Sequence, residues 1–101
     1  MNTIETYSGK IPVLSTEEMI EVDRLMIEEY GIVLIQMMEN AGRCLAIVAM
    51  REFLKSNFSN KKVIILAGTG GNGGGALVCA RRLHNWGVGV SVYLNLLPHF
   101  R

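Results

Sequence analysis

The sequence predicts an α/β fold, with two helices followed by a strand–helix–strand unit. Three observations predict it. Residues 63–66, VIIL, are a short continuous run rich in β-branched side chains, which suits a strand buried on both faces. Six glycines crowd between Ala67 and Ala76, where such a strand would hand over to a helix. Val88, Val90, Val92 and Leu94 then recur at every second position, the period of another strand.

The elements follow in chain order. Residues 1–14 read as an irregular arm, with GKIP as a turn. Ser15 opens the first helix: Ser15 and Glu18 have capping-box spacing, and Glu17, Glu18 and Glu21 suit the positive end of a helix. Met19, Val22, Leu25 or Met26, and Tyr30 follow at helical spacing, and Gly31 is the expected stop. The stretch IVLIQMMENAG leads into a second helix ending near Leu54, whose segment CLAIVAM is apolar on nearly all sides and predicts burial on more than one face. The polar KSNFSNKK is a surface connection. The third helix is expected from about Gly74 to Trp86, with Leu77, Ala80 and Leu83 or His84 facing inward, Arg81, Arg82 and Asn85 facing outward, and Gly87 ending it. The strands at 63–66 and 88–94 should be parallel, joined by a right-handed crossover. Two strands alone cannot bury an apolar sheet on both faces. Either the chain belongs to a longer domain, the reading favoured here, or its strand edges find partners.

Composition narrows the function. With 101 residues, half of them hydrophobic, the chain is globular and long enough for no more than one small domain. The start lacks a signal-peptide pattern, and no apolar run approaches the ~20 residues of a membrane span, so a cytoplasmic, non-membrane protein is expected. Cys44 and Cys79 are expected as buried thiols, and the methionines as core filling. His84 and His99 lack partners at metal-ligand spacing. Residues 1–52 hold nine acids against four bases, a net −5, whereas residues 53–101 hold six bases and no acid, a net +6. The positive half serves an anionic ligand or is a solvated face. Sparse basic residues without interleaved aromatics argue against nucleic acid.

The glycines carry the functional signal. A turn from a strand end into a helix start presents unpaired N–H groups at the positive end of the helix dipole, a site for phosphate. Glycine would let the main chain approach a ligand and take positive φ; the alternative is a turn that packs the helix on the sheet. Gly68-x-Gly70-x-x-Gly73 spells the dinucleotide fingerprint, yet no acid follows the second strand to hold a ribose, so a conventional NAD-dependent dehydrogenase is unlikely. A P-loop also fails, with no Lys-Ser or Lys-Thr after the turn. Asn72 is the polar side chain near the centre of the turn, suited either to ligate a hard cation or to tolerate a tight bend.

STEEMIEVDRLMIEEYGI and MMENAGRCLA, followed by VIILAGTGGNGGGALVCARRLHNWG, resemble the YjeF N-terminal domain family, the NAD(P)H-hydrate epimerases. The likeness covers about 14–94 and rests on two ordered motifs, MENAG at 38–42 and a turn at 70–76 similar to the family's GNNGGDG. It implies a Rossmann-like three-layer α/β/α sandwich, incomplete in this chain, with 15–101 as the N-terminal part of the domain. It implies interconversion of R and S NADHX and NADPHX in nicotinamide cofactor repair, often by a homodimer, with a dehydratase as attached domain or separate protein. The alternative is a non-catalytic nucleotide-binding or dimerisation module on the same fold, as in RNA-decapping scaffolds. The resemblance further implies that Gly71, Asn72, Gly73, Gly74 and Gly75 hold the cofactor phosphates and that Asn72 binds a potassium ion. Gly71, Gly75 and Ala76 replace the family's Asn, Asp and Gly, which removes a carboxylate from the turn. The family's catalytic acid is expected beyond Arg101. Glu39 and Asn40 either shape the pocket or cap and pack a helix start.

Overall fold

The computed structural model describes residues 5–95. Its elements are α1 (Thr16–Glu28), α2 (Leu34–Val48) continuing as a π-helical stretch (Ala49–Leu54), β1 (Lys62–Ala67), α3 (Gly71–Asn85) and β2 (Gly89–Leu94). Two compact units divide the chain between Met37 and Met38. Residues 1–4 and 96–101, the latter with His99, lie outside the described part.

The first unit holds α1 and the first turn of α2. The capping box forms as the spacing predicts: Glu18 N–H donates to Ser15 Oγ at 3.1 Å, and Ser15 N–H donates to Glu18 Oε1 at 2.8 Å. Two helix N–H groups that lack intrahelical acceptors are thereby satisfied. Arg24 bridges Glu21 and Glu28 at 2.6 and 2.5 Å along the exposed face. Gly31 takes φ +68°, a conformation that frees the chain from helical winding. The Gln36 side-chain oxygen accepts from Val33 N–H at 2.9 Å, at the entrance to α2.

In the second unit, β1 and β2 pair in parallel, Lys62 opposite Gly89 through Ala67 opposite Leu94. Asn95 N–H extends the ladder to Ala67 O at 2.9 Å. One face of β1 sends Ile65 and Ala67 into a core with Ala46, Leu54, Cys79, Ala80, Leu83 and Val88. The other face leaves Ile64 and Leu66 at 59% and 77% exposure, with Tyr93 beside them in register. The π-helical stretch brings Leu54 into the core, and Lys61 Nζ donates to Phe53 O and Leu54 O, satisfying carbonyls at the helix end.

Several expectations need correction. The second helix starts at Leu34, so MENAG sits inside it and not at its start. Leu45 and Val48 are exposed, and Gly42 and Ala46 are the buried residues of α2, so CLAIVAM is not buried on nearly all sides. Cys44 is exposed; Cys79 is buried, and burial pushes its thiol above the ordinary value. On α3, Leu77 and His84 are exposed, and Cys79 joins Ala80 and Leu83 on the inner side. Arg82 is half-buried, not outward.

Two consequences are measurable. Ser15→Ala should cost α1 about 1 kcal/mol, seen as faster amide exchange at Glu18; unchanged exchange would contradict the cap. Gly73→Ala would drive a methyl into the Gly68 carbonyl, which is main chain and cannot rotate away. Thermal unfolding should show a loss of about 1–3 kcal/mol.

Candidate functional site

The glycine segment is mostly helix. Gly70 is the N-cap residue, with extended φ −89° and ψ −171°, and α3 begins at Gly71, three residues before the expected start. The bend joining β1 to α3 is therefore only Gly68, Thr69 and Gly70. No glycine here takes positive φ; among the described residues that conformation belongs to Gly31, Lys55 and Gly87, the last just past α3. The expected positive-φ role is thus corrected.

What the glycines provide is room, and they divide into two sets. A side chain at Gly73 would collide with the Gly68 main chain, and one at Gly74 with the Met38 methyl. One at Gly42 of α2 would lie 2.5 Å from Gly75 O and from Val78 Cβ. These positions are small because the protein's own atoms fill the space. Gly68, Gly70 and Gly71 meet nothing within 4 Å, so internal packing gives no reason for a missing side chain there.

Gly71 and Asn72 are exposed, Gly74 is half-buried, and Gly73 and Gly75 are buried. Gly74 N–H donates to Gly70 O at 3.2 Å, closing the first turn. The three preceding N–H groups have no acceptor within the helix, and Gly70 has no side chain to cap them. They lie at the positive end of a 15-residue helix, where the summed peptide dipoles favour an anion. Asn72 offers one amide oxygen beside them. Among the described residues no group of three or more His, Cys, Asp or Glu could hold a metal ion, so Asn72 supplies a single ligand and not a cage. A hollow of about 470 Å³ lined by Phe53, Leu54, Lys61 and Lys62 lies at the start of β1, away from this turn.

Glu39 does not cap a helix start, the second of the two roles expected for it. It lies within α2, and its Oε2 accepts from Arg81 Nη2 at 2.5 Å and Arg82 Nε at 2.8 Å, with Arg82 Nη2 2.7 Å away as an ion pair. The two guanidinium hydrogen bonds hold its carboxyl below the usual carboxylate value. Such a carboxylate is a weak base, unsuited to taking a proton at neutral pH. A 42-residue separation between Glu39 and Arg81 leaves no local pattern from which the pair could be read. Asn40 Oδ1 accepts from Arg43 at 3.4 Å on the exposed side of α2.

Residues 34–100 match the family model described as YjeF-related protein N-terminus. The chain is 45% identical over 84 residues to an NAD(P)H-hydrate epimerase of Dehalogenimonas lykanthroporepellens, an alignment covering 83% of this chain and 34% of that protein. It is 41% identical to an NAD(P)H-hydrate epimerase of Elusimicrobium minutum, covering 87% and 38%. A bifunctional NAD(P)H-hydrate repair enzyme of Moorella thermoacetica is 40% identical, covering 85% and 16%. The crystal structure of the yeast protein ynu0 superposes with a TM-score of 0.73 at 37% identity, covering 83% of this chain and 37% of that one. The chain thus spans little more than a third of the epimerases it matches.

The Glu39 pair carries a pH signature. A carboxylate whose folded-state value is depressed contributes stability above its unfolded value, near 4.5, and loses it as pH falls through the lower folded value. Thermal midpoints of the wild type and Glu39→Gln should differ by a constant amount near neutrality and converge on acidification. A gap that persists in acid would show that the charge pair is not its source.

Proposed function

We infer a function from one premise: the chain belongs to the YjeF-related protein N-terminus family. We propose that it carries the cofactor-binding turn of an NAD(P)H-hydrate epimerase, an isomerase that interconverts the R and S forms of NADHX and NADPHX in nicotinamide cofactor repair. One observation carries the reading beyond the family name. Gly68, Gly70 and Gly71 are bare where nothing within the protein requires it, around N–H groups that have no helical acceptor. A diphosphate is of the size and charge to occupy that space.

In this reading Gly71 and Asn72 contact the phosphates, while Gly73, Gly74 and Gly75 let Gly68, Met38 and α2 close in beneath them. Potassium, where bound, would neutralise phosphate charge, and Asn72 would give it one oxygen. Epimerisation at the hydrated carbon needs proton transfer and support for a ring cation. Glu39 is tied to two arginines and every acid lies at or before Glu52, so the described residues are assigned binding and no proton-transfer step. The bifunctional relatives support a dehydratase as the partner reaction. A homodimer and a cytoplasmic location complete the proposal; no helix among the described residues is long and apolar enough to cross a membrane.

Gly75, where the resemblance expects an aspartate, favours a second reading, a nucleotide-binding module without catalysis. Two experiments decide between these. Added to an R/S NADPHX mixture with an S-specific dehydratase, the protein should speed consumption of the R form. A rate equal to the spontaneous one leaves the binding module. Gly71→Ala should weaken ADP binding about fivefold or more, because the added methyl group fills the open space and pushes the phosphate away from the N–H groups, with no fall in the thermal midpoint. Unchanged affinity would remove the turn from the site.

A further inference from the structure

We propose that Glu39 is a positioning residue, which fixes the angle between α2 and α3 and so the shape of the turn at 70–74, without touching the ligand. The proposal rests on the reading of that turn as an anion site.

The two helices meet closely at one point. Gly42 lies against Gly75 O and Val78, close enough that an added Cβ would be 2.5 Å from each. A contact between small residues is a pivot: it brings two rods together but resists rotation weakly. Glu39 supplies the second contact. Arg81 is six residues beyond Gly75, about 9 Å along the helix at 1.5 Å per residue, so the Glu39 bonds act at a distance from the pivot. Two guanidinium groups each donate a hydrogen bond to one oxygen, and Arg82 Nη2 lies 2.7 Å from it as an ion pair, which restrains direction as well as distance. Met38, the neighbour of Glu39 on α2, rests its methyl on Gly74 in the first turn of α3. Rotation of α2 about the pivot would carry Met38 across that turn. Glu39 thus couples a charge pair near the far end of α3 to the packing beneath its N–H groups.

Positioning and simple electrostatics predict opposite signs for one substitution. Glu39→Gln removes a negative charge and frees two arginines, so if charge alone mattered ADP would bind more tightly. If Glu39 sets the turn, ADP binds more weakly, by about three- to fivefold, the factor that a half-exposed charge pair can carry. Glu39→Asp keeps the charge but is one methylene shorter, and should weaken ADP binding in the same direction. Calorimetric titration with ADP gives both affinities. Amide NMR of the ligand-free protein gives an independent readout: Glu39→Gln should shift Gly70–Gly74 and leave the β2 amides in place. Equal or tighter ADP binding in either variant overturns the proposal, as do unmoved Gly70–Gly74 resonances. Failure of the wild type to bind ADP overturns the anion-site reading instead, and the NMR result still decides whether Glu39 shapes the turn.

Discussion

The site depends on steric exclusion at one place, where the start of α3 closes onto the end of the bend that precedes it. Gly73 leaves no room between itself and the Gly68 carbonyl even for a methyl group. Without that approach the bend from β1 could not shrink to three residues, and α3 could not begin as early as Gly71. An early start places three acceptor-less N–H groups directly beyond a strand end. Gly42 and Met38 of α2 then pack against the same turn from the other side. The turn is built by tight packing within the chain, and the bare positions that remain open sit on top of it.

Much of this architecture was legible from residue periodicity. The continuous run at 63–66 and the alternation at 88–94 both became strands, and the parallel register followed. The capping box at Ser15 formed between the residues its spacing named. The boundaries of α2 and α3 were harder, for opposite reasons. IVLIQMMENAG carries no N-cap signal of its own, so the helix that begins at Leu34 was placed too late. In α3 the glycines carry a local preference against helix, and tertiary packing outweighs it. Their real function, room for neighbouring atoms, depends on contacts that no local pattern records.

The charge asymmetry was visible as a tally but not as a structure. The acidic half and the basic half are joined at Glu39, where one carboxylate holds two arginines. Two of the six bases in the positive half are therefore spent on an internal bond and not on attracting a ligand. The apolar segment CLAIVAM shows the same limit of one-dimensional reading. Its composition implies burial all round, but Leu45 and Val48 remain exposed because burial needs a second surface as well as an apolar side chain.

The wide winding from Ala49 to Leu54 has a bearing on how such a chain tolerates changes of length. A π-helical stretch holds more residues per turn than an α-helix, as if one had been inserted. Deleting one residue there would restore ordinary winding and leave everything after it facing nearly as it does now, because the wide turn has already absorbed the extra residue. Leu54 would still face the core, and the carbonyls that Lys61 holds would stay with it. This short stretch can therefore absorb a change of one residue that would turn the rest of an ordinary helix away from its partners.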